Sequence, residues 1–523
     1  MIIESPYDDV ELAQVPLTEY VLDGTARWAT RSAIIDGATG RVMRYAELAA
    51  SVRRAAAGLV AHGVTKGDVL ALCSPNSLGF VIAYYAALAA GAIVTTVNPL
   101  APVGDVIRQL THSGTRWLVT TAALFEGSGR EAAAAAGLRE TFVFGTVAGA
   151  TVFASLTDTQ HPARLPAVRP DDNAVLLYSS GTTGLPKGVL LSHRNLVASL
   201  DQTRPVHRVR AGDVLITALP LFHVFALQVT LGLGLSVGAT VVTMPRFDLD
   251  GFLRLVQEHG VTRVEVVPPI VLALARHPAV AGYDLSSLRL ITSGAAPLGS
   301  ELAAECAQRL GCRVKQAYGM TEFGGATHLV PDTGGGDLES IGPLLPGNEC
   351  RVIDCASGLD VGSGEPGEML IRSPGTMRGY LGDAAATAAT IDPGGWLHTG
   401  DVVIADREGW FRVVDRVKEL IKYKGSQVAP AALEAILLTH PAVVDAGVIG
   451  VPDAEAGEIP TAFVVLGQPA TAGELMAYVA DRVAPHEKLR RLAFVGDIPK
   501  SPSGKILRRV LAERAQVAAG PTR

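Results

Sequence analysis

Short apolar runs alternate with longer Ala/Leu/Arg stretches along the first 400 residues or so. VLALCS is followed by GFVIAYYAALAAG and then AIVTTV; TRVEVVPP is followed by IVLALARH and then LRLITSG. Such alternation predicts strand–helix–strand units, and so parallel or mixed sheets covered by helices. Two runs without charge, 69–104 and 214–245, are long enough to span a bilayer. Each is broken internally, the first by Pro75-Asn76-Ser77 and Gly91, the second by Pro220, His223, Gln228 and several glycines. Both therefore read as strand, loop, buried helix, strand. The alanine-rich stretch 130–138 reads as a helix. From about residue 342 to 414 glycine, proline and β-branched residues dominate, which predicts a small β-rich subdomain. After Asp415 the α/β pattern returns: a β-ribbon in VKELIKYKG, a helix in AALEAILLTHP, strands in VVDAGVIGVP and TAFVVLG, and a helix in AGELMAYVADRVA. The predicted organisation is α/β. A large N-terminal domain (1–414) of helix-covered sheets contains the β-rich subdomain, and a small α+β C-terminal domain (415–523) follows.

Composition narrows the class. The chain of 523 residues is 48% hydrophobic and 18% charged, which suits buried cores and excludes a largely disordered chain. A net charge of -6 offers no basic surplus for nucleic acid or anionic lipid. The cysteines, Cys73, Cys306, Cys312, Cys350 and Cys355, are odd in number and form no C-x-x-C pair, so a disulfide framework or zinc knuckle is not expected. The N-terminal stretch carries acids where a signal peptide carries bases, so a cytoplasmic location is expected. There are only nine lysines against 36 arginines, and six of the nine lie in 415–523. In that background a lysine inside a glycine-rich motif suggests a need for a compact ammonium, which marks Lys187, Lys422 and Lys505.

The most specific segment is Tyr178-Ser179-Ser180-Gly181-Thr182-Thr183-Gly184-Leu185-Pro186-Lys187-Gly188, directly after the apolar run AVLL. Four hydroxyls, three glycines and one lysine in eleven residues can close backbone N–H groups, hydroxyls and a point charge on an anion. It is not a P-loop, because Lys187 is followed by glycine rather than Ser or Thr. Elsewhere, Asp401 and Arg416 suit the hydroxyls of a sugar, Tyr318 offers a flat face to a purine, and Glu322 is a hard oxygen ligand. Taken one at a time, Asp401 and Arg416 read more readily as a surface ion pair, Glu322 reads also as a helix-surface acid, and Tyr318 reads equally well as a core aromatic. No Ser-His-Asp order and no H-E-x-x-H occurs.

The ordered set resembles the adenylate-forming superfamily of acyl-CoA synthetases, peptide-synthetase adenylation domains and luciferases, and within it 4-coumarate–CoA ligases and their bacterial relatives. The resemblance runs from about residue 20 to 512. SSGTTGLPKG is similar to the signature loop; Gln316-Ala317-Tyr318-Gly319-Met320-Thr321-Glu322 resembles the adenine-sandwiching motif; Trp396-Leu397-His398-Thr399-Gly400-Asp401 resembles the ribose segment; Asp415 to Gln427 resembles the hinge and ribbon; Pro499 to Lys505 resembles the C-terminal lysine loop. The resemblance implies an ATP-dependent, AMP-forming carboxylate–CoA ligase using Mg²⁺, with a small carboxylic acid as partner substrate and coenzyme A as co-substrate. It implies that Ser179, Ser180, Gly181, Thr182, Thr183, Gly184 and Lys187 hold phosphates, and that Gln316, Ala317, Tyr318, Gly319, Asp401 and Arg416 hold the nucleoside. Thr321, Glu322 (through Mg²⁺) and Lys505 would serve adenylation. Lys422 and Gln427 would serve after the small domain swings about Asp415, with Arg246, Lys424 and Gly425 near CoA. His223 (a gate rather than a base), Phe225, Val229, Ala295, Ala317, Gly325, Ala326 and Leu329 would form the acyl pocket.

Four positions depart from 4-coumarate-binding relatives. Phe225 and Val229 replace ring-hydroxyl partners, and Ala317 replaces a glycine, so an unsubstituted cinnamate-like or other aryl acid, or a medium-chain acid, is expected. Ser426 stands where an aromatic residue flanks the thiol route. The alternative is an adenylating enzyme whose acceptor is a carrier-protein thiol, an amine or another nucleophile. A binding module without catalysis is disfavoured by the complete charged set. Monomer and homodimer are both left open.

Overall fold

The structure is a computed structural model and describes residues 1–157, 163–179, 186–424, 426–453, 455–501 and 504–519. Two eight-stranded sheets form the bulk of it. In the first, Ile93–Thr96, Val69–Cys73, Thr115–Thr121, Glu140–Phe144 and Thr151–Val152 run parallel, and Asn173–Ser179 pairs antiparallel with Lys187–Ser192. In the second, Leu290–Ser293, Arg263–Val266, Val214–Thr217 and Thr240–Thr243 are parallel, and Arg313–Met320 turns back on Gly325–Leu329 at one edge. One apolar core runs continuously between them.

The two uncharged runs fold as their interruptions predict. The first gives Val69–Cys73, the helix Leu78–Ala89 and Ile93–Thr96. Ser77 caps that helix, its Oγ accepting from the Phe80 N–H at 3.1 Å, and most of its side chains are buried. The second gives Val214–Thr217, a widened π-helical turn Phe225–Gly232 and Thr240–Thr243. Among the described residues no helix is long and apolar enough to cross a membrane. The predicted helix at 130–138 covers Arg130–Ala135. The described cysteines are free thiols.

A charged network lies inside the second sheet, where the pattern predicts only apolar side chains. Glu265 is fully buried and accepts from Thr230 Oγ1 at 3.1 Å, with His207 Nε2 also at 3.1 Å. Asp332 receives Lys315 Nζ and Arg263 Nη1, each at 2.7 Å. Every charge there has an opposite partner, which is the condition for burying it. Through Thr230 the network grips the π-helical turn from behind.

The β-rich stretch folds as an antiparallel sheet of Glu349–Ile353, Pro366–Arg372, Leu397–Ala405 and Phe411–Arg416. Its outer edge is closed by Ile3–Glu4 from the far end of the sequence. The small C-terminal domain has its own core, from Ile421 to Leu489, around the long hairpin Val443–Asp453/Gly457–Leu466. The helix Pro430–Thr439 packs on that hairpin.

Asp415 lies on the last strand of the antiparallel sheet but points into the small domain. Its carboxylate accepts from the Ala431 N–H at 2.9 Å, in the first turn of Pro430–Thr439, and from the Arg416 N–H at 2.7 Å. It thus caps a helix of the small domain from the joint. Arg508 completes the joint, bridging Glu419 (2.7 Å), Glu434 (3.1 Å) and the Val448 carbonyl (2.8 Å).

Removing Arg508 leaves the mostly buried Glu434 carboxylate without a counter-ion and Glu419 with Lys505 alone, at 3.9 Å. Arg508→Ala is expected to destabilise the small domain by on the order of 3 kcal/mol, read as faster amide exchange in Pro430–Thr439 and an earlier urea transition. Burial pushes the Asp415 carboxyl up from 3.8 to about 6, with Arg508 opposing the shift. A carboxyl raised in the folded state gives stability that is complete below its unfolded value and is lost as pH rises through about 6. Raising the pH from about 4 to about 7 should therefore cost the wild type more than Asp415→Asn, by up to a few kcal/mol. Melting temperatures of both proteins over that interval test this, and parallel curves would refute it.

Candidate functional site

A cleft of about 220 Å³ opens where the second sheet, the first sheet and the small domain meet. Its polar end is built on Arg313–Met320. The strand carries a register shift between Tyr318 and Gly319, where the backbones come so close that a Cβ on Gly319 would fall 2.2 Å from the Gly325 carbonyl oxygen. Tyr318 lines the cleft, and its hydroxyl donates to Asp401 Oδ2 at 2.6 Å. Asp401 is buried and stands directly across the antiparallel ladder from Arg416, whose Nε meets Oδ1 at 2.8 Å. The predicted sugar-binding pair is thus produced by strand register, behind the tyrosine. Thr321 and Glu322 occupy a short turn that ends at Gly324, where φ is 63°. Buried Glu322 accepts from the Tyr380 hydroxyl at 3.0 Å, and Lys187 Nζ lies 4.5 Å from the centre of the Tyr380 ring.

Lys505 reaches this end from the small domain and lines the cleft together with Arg416, Thr321 and Glu322. Its loop is positioned by Gly504, at φ 77°, where a Cβ would fall 3.0 Å from Val267 Cγ2 of the large domain. Glu419 Oε1 is 3.9 Å from Lys505 Nζ. Burial lowers the pKa of Lys505, and the nearby Arg416 charge adds to that, while Glu419 and Asp401 oppose it. Burial also works against the Glu419 carboxylate, yet Arg508 and Lys505 hold it below its ordinary range. The site therefore concentrates positive charge at a point that can take an anion.

The other end of the cleft is apolar. Phe225 and Val229 come from the π-helical turn, and Gly325 and Ala326 from the return strand, with Ala295 and Ala317 beside them. Ala295 holds φ 68°, a conformation that favours glycine. The Phe225 ring presses on Gly294, where a Cβ would fall 3.0 Å from it. His223 also lines the cleft. Burial lowers its pKa to about 4, and Nε2 has no hydrogen-bond partner, so the ring is neutral at ordinary pH and cannot retain a proton as a base would.

Fourteen predicted residues line the cleft or reach it, from Ser179 to Lys505. Others lie elsewhere. The carboxamide of Gln316 is spent on the Leu298 N–H and carbonyl (3.0 Å each) and the Leu338 carbonyl (2.6 Å), so it braces two loops. Leu329 is buried against Val206 and Leu345, outside the cleft wall. Arg246 is exposed. Lys422 and Gln427 face each other across the hairpin Ile421–Tyr423/Ser426–Val428, exposed on the small domain with Lys424, whose φ is 48°. Ser180, Gly181, Thr182, Thr183, Gly184 and Gly425 lie outside the described residues.

Sequence reading missed Tyr178, Val224, Gly294 and Met320, which also line the cleft. Tyr178 opens the glycine-rich segment, and its hydroxyl meets His112 Nδ1 at 2.7 Å. Tyr380 was missed because its link to Glu322 depends on the pairing Val189↔Tyr380, which brings together residues far apart in the chain and leaves no local signal. Glu419 was missed because it reads as an ordinary helix or turn acid until Arg508 and Lys505 are placed beside it.

Residues 23–381 match the AMP-binding enzyme family and residues 432–505 its C-terminal domain. The chain is 42% identical to 4-coumarate–CoA ligase 5 of Oryza sativa subsp. japonica, over 97% of this chain and 95% of that protein. Among solved structures it is similar to a benzoate CoA ligase from Burkholderia xenovorans LB400 (29% identity, TM-score 0.87, 95% of this chain and 100% of that one). It is also similar to the amide bond synthetase McbA from Marinactinospora thermotolerans (27% identity, TM-score 0.85, 96% of this chain and 100% of that one). The chain belongs to the AMP-binding enzyme family, with the large N-terminal and small C-terminal domains of adenylate-forming enzymes.

Proposed function

We propose that the protein is an AMP-forming ligase that joins an aryl or medium-chain carboxylic acid to coenzyme A through an acyl adenylate. The observation that carries this reading is Lys505, a lysine of the small domain that lines the same cleft as Arg416, Glu322 and the apolar wall of Phe225. In the first step a carboxylate oxygen attacks the α-phosphorus of ATP; that O–P bond forms, the α–β anhydride bond breaks, and pyrophosphate leaves. Attacker and electrophile are both anionic, so the site must supply positive charge and in-line placement, and no proton has to be removed. Lys505 and Arg416 supply the charge, Tyr318 the purine face, and Asp401 and Arg416 the sugar contacts. The segment Ser179 to Lys187 holds the departing phosphates. Glu322 has one carboxylate oxygen free of the Tyr380 hydrogen bond, which suits a Mg²⁺ that arrives with the nucleotide.

In the second step the thiol of CoA attacks the adenylate carbonyl; the C–S bond forms, the bond to AMP breaks, and the thiol proton is released. Lys422, Lys424 and Gln427 are exposed on the small domain and do not line the cleft, and we assign them to this step after 415–523 has turned about Asp415. Arg246, exposed on the large domain, would meet the CoA phosphates. An amine acceptor is the second reading, favoured by the small Ser426 beside the ribbon and by the likeness to an amide bond synthetase.

Loss of one preorganised charge contact sets the first expectation: Lys505→Ala should slow acid-dependent ATP–pyrophosphate exchange by ~10²-fold or more. Because the pKa of Lys505 is lowered, exchange by the wild type should also fall with rising pH below the ordinary lysine value of 10.5, a limb absent in the variant. Wild-type exchange in Lys505→Ala would overturn the assignment. The apolar wall sets the second: cinnamate should exceed 4-coumarate in kcat/KM by roughly 5- to 100-fold, since a phenol buried without a partner loses about 1–3 kcal/mol. Measuring AMP release with a panel of acids, with and without CoA, tests acid class and acceptor together.

A further inference from the structure

The small domain touches the large one at both ends of a single helix. The helix Pro268–Arg276 has nine residues, so it is about 13 Å long. At its start the Gly504 turn, which carries Lys505, packs on Val267 and Pro269. At its end Arg276 Nη1 donates to the Leu438 carbonyl at 3.1 Å, in the last turn of Pro430–Thr439. That carbonyl is one of the acceptors a helix C-terminus leaves unpaired, and a guanidinium there also meets the negative end of the helix dipole. Arg276 is held in place by Glu305, its Nε lying 3.0 Å from Oε2. Arg309 ties down the neighbouring backbone, donating to the Ala275 and His277 carbonyls at 2.8 Å each. Gly299 of the large domain also lies near Ala435 of the same small-domain helix, a Cβ there falling 3.8 Å from the alanine methyl. The helix Pro430–Thr439 is therefore clasped at its first turn by Asp415 and at its last by Arg276.

We propose that Arg276, braced by Glu305, is a positioning residue that latches the small domain in the arrangement delivering Lys505 to the cleft. It touches neither the cleft nor any residue assigned to substrate. Its hydrogen bond joins the two domains only while Lys505 is docked, so it should bias that arrangement without entering the chemistry. This rests on the adenylation reading above, and the latch governs only the first half-reaction. The second half-reaction requires the contact to break, so the same latch opposes it.

The test separates the halves in the full-length enzyme, with an acid that the wild type turns over. Arg276→Ala should lower pyrophosphate exchange roughly 3- to 10-fold in kcat at little change in the KM for ATP, the scale of one ordinary intramolecular hydrogen bond. Thioester formation from synthetic acyl adenylate and CoA should be unchanged or faster. Arg276→Lys should restore part of the exchange, Glu305→Gln should lose part of it, and tryptic cleavage after Lys418 should be faster in Arg276→Ala. Equal loss in both half-reactions, or exchange at the wild-type rate in Arg276→Ala, would overturn the latch. Failure of the wild type to exchange pyrophosphate with any acid would instead overturn the adenylation reading.

Discussion

The site turns on an unfavourable placement: an ammonium, Lys505, is brought out of water beside a guanidinium, Arg416. Left alone, two cations in one cleft would push each other apart or shed a proton. They stay because Asp401 and Glu419 stand behind them, and because Arg508 holds Glu419 from the far side. The arrangement is complete only when an anion enters between them, which is the condition that two reacting anions, a carboxylate and a triphosphate, would meet. Charge is thus assembled by the approach of two domains instead of being fixed within one. Binding, chemistry and domain position become the same problem.

The overall fold was readable because it is written in local patterns. Interrupted apolar runs gave strand, helix and strand in the observed order, and the change of composition near residue 342 marked the antiparallel sheet. The ends of the site were readable for a different reason: Tyr318, Glu322, Asp401, Arg416 and Lys505 sit in short segments of unusual composition. What escaped depends on pairing between distant segments. Ile3–Glu4 joining the antiparallel sheet, Tyr380 reaching Glu322, and the charges of His207, Arg263, Glu265, Lys315 and Asp332 inside a sheet that reads as apolar all require register that no window of sequence contains. Gln316 shows the opposite error. Its place in a nucleotide motif suggested a ligand contact, but a buried carboxamide must satisfy its own donors and acceptor first, and the loops at Leu298 and Leu338 do so.

The apolar half of the cleft explains how one scaffold can serve different acids. Its walls come from the π-helical turn, the return strand, the Gly294-Ala295 corner and Ala317, which adjoins Tyr318 on the strand that builds the charged half. Most of the apolar wall therefore comes from segments other than those that carry Lys505 and Arg416, so side chains there can change with little effect on the charged half. Phe225 is the pivot of that half, because it lies against Gly294 and leaves no room for a larger residue there.

The widened turn at Phe225–Gly232 has a consequence for how this wall could evolve. A π-helical turn holds one residue more than the α-helical turn it replaces. Losing a residue from it would tighten the coil and rotate Phe225 and Val229 relative to each other, while Thr230 and the sheet at Glu265 set where the segment is anchored. The shape of the apolar wall can therefore change by insertion and deletion as well as by substitution, in a segment that carries none of the charged groups of the cleft.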